Sequence, residues 1–208
     1  MACVIFCAGE FDRLLRPLEK GDVVIAADGG LKHTETLGIA PDIILGDFDS
    51  LGYVPQGSEL HPVEKDDTDA MLAAKRGLAL GCREFLFYGS LDGPRLDHTV
   101  ANFQTLAYLT EHGAKGTLVG LRQQVTLLKE GKITFPKNAA GNISVFAFGE
   151  KAEGVTIRNL YYNLEKGTLT PAFPLGVSNH FIGEEAEVSV EKGRLLIVWD
   201  KEPDHTEK

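Results

Sequence analysis

A regular alternation governs the first 121 residues: short apolar runs, each closed by a turn, are separated by stretches with helical spacing. The runs are CVIFCAG, VVIAADGG, DIILGDFDS, EFLFYGS and GTLVGL, with ELHPVEK as a further short strand interrupted by Pro62. Runs apolar at consecutive positions, rather than at every second one, suit strands buried on both faces, the condition of a parallel sheet covered by helices. Between them, FDRLLRPLEKG reads as a helix ending at Gly21 and LKHTETLG as a short helix. DDTDAMLAAKRGLALG places Ala70, Ala73, Ala74, Gly77 and Leu78 on one helical face, and DHTVANFQTLAYLTEHG is a helix closed by Gly113. After about residue 124 the pattern changes. VTLLKEG, KITFPKN, NISVFAFGE, GVTIRNLYY, EVSVEKG and RLLIVWD are short strand-like runs broken by glycine, asparagine and proline. The expected fold is an open, mainly parallel α/β sheet domain over 1–124 and a smaller antiparallel β-sandwich domain over 125–201, with a flexible tail over 202–208.

Composition narrows the function. With 43% hydrophobic and 25% charged residues in 208, the chain has ordinary globular content. A net charge of −9 argues against binding nucleic acid by phosphate neutralisation and against an anionic membrane surface. No run is long enough to span a membrane. The start MACVIFCAGEFD has neither the basic region nor the long apolar segment of a secretory signal, so a cytoplasmic protein is expected. Cys3, Cys7 and Cys82 lack zinc-ligand spacing and read as reduced, packed thiols.

Four loops concentrate chemistry: AADGG (26–30), GDFDS (46–50), EKDDTD (64–69) and GSLDGPRLDH (89–98). Each follows an expected strand, and the carboxyl ends of parallel strands lie along the edge where open α/β sheets bind ligands. Asp28, Asp47, Asp49, Asp66, Asp67, Asp69, Asp92 and Asp97 gather there. Any one of them reads equally as a helix cap, and Asp66 with Asp69 resembles a capping box. Together they are costly, at roughly 1–4 kcal/mol per close pair near a protein surface, which favours a bound cation such as Mg²⁺ with substrate phosphates. Gly29 and Gly30 free backbone N–H groups at a helix start, Lys65 and Arg95 add positive charge, and Ser50, Thr68 and Ser90 add hydroxyls. Neither a P-loop nor a dinucleotide fingerprint is present. In the second half, PLGVSNHF offers Ser178 and Asn179, a pair that by itself reads as a turn, while Tyr161, Tyr162, Phe173, Phe181 and Trp199 read as core.

Taken in order, ADGG, LGDFDS, DDTDAMLA, GPRLDHTVAN and GVSN resemble thiamine pyrophosphokinase over nearly the whole chain. The resemblance implies transfer of a pyrophosphoryl group from ATP to the hydroxyl of thiamine, giving thiamine diphosphate and AMP. It also implies a homodimer with its active site at the subunit interface. By the same resemblance Asp47, Asp49 and Asp69 bind Mg²⁺, and Asp28, Gly29, Gly30, Lys65, Asp66, Thr68, Arg95 and Asp97 belong to the nucleotide and catalytic site. Ser178 and Asn179 contact thiamine by the same resemblance. A carboxylate such as Asp97 or Asp69 is a candidate to orient or accept the hydroxyl proton, but a metal-bound acid is a poor base and the role stays open. Pro94 departs from the family pattern, which has glycine there; it removes a backbone donor and fixes φ near about −65°. From the residues alone, a DxD-type nucleotide-sugar transferase and a non-catalytic nucleotide- or thiamine-binding module remain as alternatives.

Overall fold

The computed structural model describes residues 1–49, 51–62 and 66–201. It divides into two units, Met1–Leu121 and the part from Arg122 onward. Strands β1 (Ala2–Phe6), β2 (Val23–Ala27), β3 (Ile43–Gly46), β4 (Glu59–Leu60), β5 (Glu84–Tyr88) and β6 (Lys115–Val119) build the sheet of the first unit. Their order is β4-β3-β2-β1-β5-β6, and every pairing is parallel. The direction of strand addition reverses at β1, so the carboxyl ends of β1, β2 and β5 border a switch-point crevice. Every residue of β1 is buried, as expected for a central strand.

Among the described residues three α-helices accompany the sheet: α1 (Leu31–Leu37), α2 (Asp69–Ala79) and α3 (Leu96–Glu111). α2 buries Ala70, Ala73, Ala74 and Gly77. A Cβ on Gly77 would stand 2.6 Å from the Phe85 ring and 2.7 Å from Cys3 Sγ, so only glycine lets the helix lie this close to β1 and β5. Its N-cap is Thr68, whose hydroxyl accepts from Met71 N at 3.2 Å, and not the Asp66–Asp69 box that the sequence suggests. All three cysteines are buried thiols, and burial followed by the nearby Asp69 charge pushes Cys7 up to about 12. No helix among the described residues is long and apolar enough to cross a membrane.

The helix expected over FDRLLRPLEKG does not form. Pro17 lacks the N–H that a helix interior needs and disfavours helical geometry at Arg16. The segment instead runs irregularly over the sheet, packing Phe11, Leu14 and Leu18 on Phe6 and Tyr88, with the Leu15 amide donating to the Tyr88 hydroxyl at 3.0 Å. Asp22 ties its end, accepting from Arg16 at 2.7 Å and from the amides of Ala2 and Glu19. Burial alone would raise the Asp22 carboxyl, but Arg16 and the two amides outweigh it and hold the group at about 2. Because the folded value lies below the unfolded one, this stabilisation is complete above pH about 4 and is lost as pH falls toward 2. It amounts to about 2 kcal/mol. Melting followed from pH 6 to pH 2 should therefore drop more steeply in the native protein than in Asp22→Asn, which has already lost the interaction; parallel curves would refute the assignment.

In the second unit, β7 (Gln123–Phe135), β8 (Asn142–Ala147), β9 (Ala152–Arg158), β10 (Leu164–Leu169), β11 (Gly176–His180) and β12 (Ala186–Asp200) pair antiparallel. β12 pairs with β7 along its length, with β9 through Glu187–Lys192 and with β8 through Leu195–Trp199. One long strand therefore passes from one sheet of the sandwich to the other. The crossing falls at the register shift between Val190 and Arg194, where Gly193 takes φ +99 and the facing Gly131 takes φ +124. These glycines, which read as strand ends in VTLLKEG and EVSVEKG, are bends within continuous strands. The core between the sheets holds Ile143, Val145, Val155, Ile157, Leu160, Val188, Leu195 and Ile197.

Candidate active site

The site grows from the ends of β2 and β3. Register pairs Ala27 with Leu45, so the following residues, Asp28 and Gly46, are neighbours across the two strand ends. Asp28 opens a short 3₁₀ turn in the left-handed region, φ +47. Gly29 and Gly30 are buried in that turn. A Cβ on Gly30 would collide with the Phe6 carbonyl oxygen, so its glycine serves close packing against the end of β1. Beyond Gly46 the chain places Asp47 half-buried, Phe48 buried at φ +60, and Asp49 exposed. The left-handed step at Phe48 anchors its ring in the core and parts the two aspartates. The Asp49 amide donates to Asp47 Oδ1 at 3.3 Å.

Asp69, the first residue of α2, completes a cluster in which Asp28, Asp47 and Asp69 each offer an oxygen within 4.8 Å of the others. Asp28 Oδ1 is buried without a hydrogen-bond partner among the described residues. A buried carboxylate oxygen left unpaired is costly, and three converging hard oxygens suit a hard cation. The residues present therefore fit Mg²⁺. Asp28, expected in the nucleotide site, stands in this cluster with Asp47 and Asp69, whereas Asp49, which the resemblance counted among the metal ligands, lies outside it.

The cluster opens into a cleft of about 440 Å³ lined by Cys7, Ala8 and Gly9 after β1, by Asp28, Asp47, Asp49, Thr68 and Asp69, and by Gly89, Ser90, Pro94, Arg95, His98 and Asn102. The contribution of β1 was missed in the sequence, although CVIFCAG ends at the same sheet edge. The β5–α3 loop is fastened from within: the Asn102 amide donates to Ser90 O at 2.7 Å, and the Ser90 hydroxyl donates to Phe87 O at 2.8 Å. Arg95 and Asp97, both largely exposed, form a 2.6 Å ion pair. The hydrogen bond from Arg95 lowers the Asp97 carboxyl and raises the guanidinium.

Not every aspartate of the edge belongs to the cleft. Asp67 pairs with Lys75 at 2.7 Å. Asp92 accepts from the Leu121 amide at 2.6 Å and braces the end of β6. Asp66 is exposed, and neither it, Gly29, Gly30 nor Asp97 is among the lining residues. Ser50, Glu64 and Lys65 lie outside the described residues, as does the expected tail over 202–208.

In the second unit, GVSN is a strand rather than a turn. Ser178 is exposed at φ +60 where the β8–β11 register shifts, its amide donating to the Ser144 hydroxyl at 3.1 Å. Asn179 is 4% exposed. Its Oδ1 accepts from the amides of Tyr162 and His180, and its Nδ2 donates to Tyr162 O at 2.7 Å. The side chain is thus a clamp on the 160–162 turn. Phe181 and Trp199 join the core as expected, whereas Tyr161, Tyr162 and Phe173 are exposed because they sit on turns, with Tyr161 stacked on His180 at 4.4 Å.

The profile of the thiamin pyrophosphokinase catalytic domain matches residues 14–118, and that of the thiamin pyrophosphokinase vitamin B1 binding domain matches 130–195. Among solved structures, the thiamine pyrophosphokinase of Bacillus subtilis superposes with a TM-score of 0.84 at 22% identity, covering 98% of this chain and 100% of that one. The thiamin pyrophosphokinase of Geobacillus thermodenitrificans gives 0.78 at 22%, covering 98% and 99%. That of Candida albicans gives 0.73 at 15%, covering 97% and 89%. At these identities the structural likeness speaks to the fold. No curated protein sequence matches the chain. With one domain profile spanning half the chain, the second following it in order, and an α/β unit followed by a β sandwich, the chain belongs to the thiamin pyrophosphokinase family.

Proposed function

We propose that this chain transfers a pyrophosphoryl group from ATP to the hydroxyl of thiamine, releasing AMP. The observation that carries the reading is the convergence of Asp28, Asp47 and Asp69 in the same cleft as Arg95, within a chain of this family. Bound there by those three carboxylates, Mg²⁺ would supply charge neutralisation for the phosphates of ATP. Arg95 balances negative charge that builds on the transferred group, and its pairing with Asp97 fixes the guanidinium at the start of α3. Asp97 is held in its ionised form by that pairing, which makes it a positioning partner for Arg95 and a poor proton acceptor. Asp49 lines the same cleft beside the oxygen cluster, and the resemblance counts it with Asp47 and Asp69 among the ion-binding acids. Thr68 caps α2 and so holds Asp69 in register. By the family resemblance Gly29, Gly30, Lys65 and Asp66 would complete the nucleotide site, and Ser178 with Asn179 the thiamine side. A homodimer is part of the same proposal and is read out by sedimentation.

Incubation with thiamine, Mg²⁺ and ATP labelled at the β-phosphorus should release AMP and leave the label in thiamine diphosphate. Label retained in ADP, or transfer only from a nucleotide sugar with release of a nucleoside diphosphate, would refute the proposal.

A further inference from the structure

Gly46 ends β3 at φ +147, and a Cβ built there would lie 3.1 Å from Cα, Cβ and N of Asp28. Those atoms are backbone and its first side-chain carbon, so relief requires the end of β2 to move by a few tenths of an ångström rather than a flexible tip to swing aside. Gly46 precedes Asp47 and packs on Asp28, so this contact fixes the separation of two of the three carboxylates in the cluster. The same few tenths separate the two common hard cations, since oxygen ligands stand about 2.0–2.1 Å from Mg²⁺ and about 2.3–2.6 Å from Ca²⁺. We propose that Gly46 is a positioning residue that sizes the Asp28–Asp47–Asp69 cluster for the smaller ion and thereby sets its preference for Mg²⁺ over Ca²⁺. The inference rests on the cation role of the cluster given above, and it reaches beyond it to the selection of the ion.

The test is calorimetric titration of the metal-free protein with Mg²⁺ alone and with Ca²⁺ alone. The ratio of the two affinities should fall about tenfold in Gly46→Ala, in the direction of Ca²⁺. Gly113→Ala provides the control: Gly113 is also left-handed at φ +67, but nothing lies within 4 Å of its added Cβ, so the ratio should stay at the native value. An unchanged ratio in a folded Gly46→Ala overturns the inference while leaving the cation site standing. A native protein that binds neither ion overturns the cation reading itself, and the inference with it. If Gly46→Ala does not fold, Asp28→Glu moves the same oxygen by one methylene without touching the strand contact, and its ratio should depart from the native value. A native ratio in Asp28→Glu would show that oxygen spacing does not govern the choice.

Discussion

Asp28→Asn should lower turnover at saturating ATP and thiamine by about a hundredfold or more, the scale expected when a cation ligand or a fixed charge at the reacting phosphates is lost. The same substitution should make the metal-free protein more stable. Three carboxylates within 4.8 Å repel one another in the absence of a cation, and Asp28 Oδ1 is buried with no partner among the described residues. Asparagine removes one charge and accepts the left-handed φ of +47 at position 28 more readily than most residues, so no backbone penalty offsets the gain. Relief of even 1 kcal/mol corresponds to roughly 2–4 °C in melting temperature for a chain of this length. The informative result is the pair of measurements: less activity, with a higher melting point in chelator. Near-normal turnover would remove Asp28 from the cation site, and an unchanged melting point would show that the carboxylates are not in conflict.

Asn179→Ala should cost about 2–4 kcal/mol of stability, because it strands the Tyr162 amide and carbonyl and the His180 amide at a position where Asn179 is buried. The loss should appear in urea unfolding with thiamine absent, which separates the clamp from any contact with substrate. Ser178→Ala, at an exposed position whose side chain has no part in the clamp, should leave unfolding unchanged. If the two substitutions destabilise equally, the clamp is not what sets the stability of the turn.

Much of the first unit was legible because its signals are local. Consecutive apolar residues in CVIFC and VVIAA announced strands buried on both faces, and the small residues Ala70, Ala73, Ala74 and Gly77 announced the face of α2. Where spacing misled, a longer-range contact prevailed. Leu14, Leu15 and Leu18 mimic a helical stripe, but Pro17 breaks it and Tyr88, far along the chain, supplies the partner. Asp47 and Asp49 look like a matched pair because they are two apart, yet burial of Phe48 separates them. The true neighbour of Asp47 is Asp28, joined through the bare face of Gly46 in a contact that no spacing encodes. Asp67 and Asp92 belong to the same sequence pattern but are spent on Lys75 and on the Leu121 amide.

The passage of β12 from one sheet of the sandwich to the other has a mechanical meaning. Glu187–Lys192 pair with β9 and Leu195–Trp199 with β8, so one covalent segment carries load from both sheets. Neither sheet can open alone without pulling on a strand that the other is gripping. The bend that makes this sharing possible sits at Gly193 and Gly131, whose φ values of +99 and +124 let both strands turn without losing their pairing on either side.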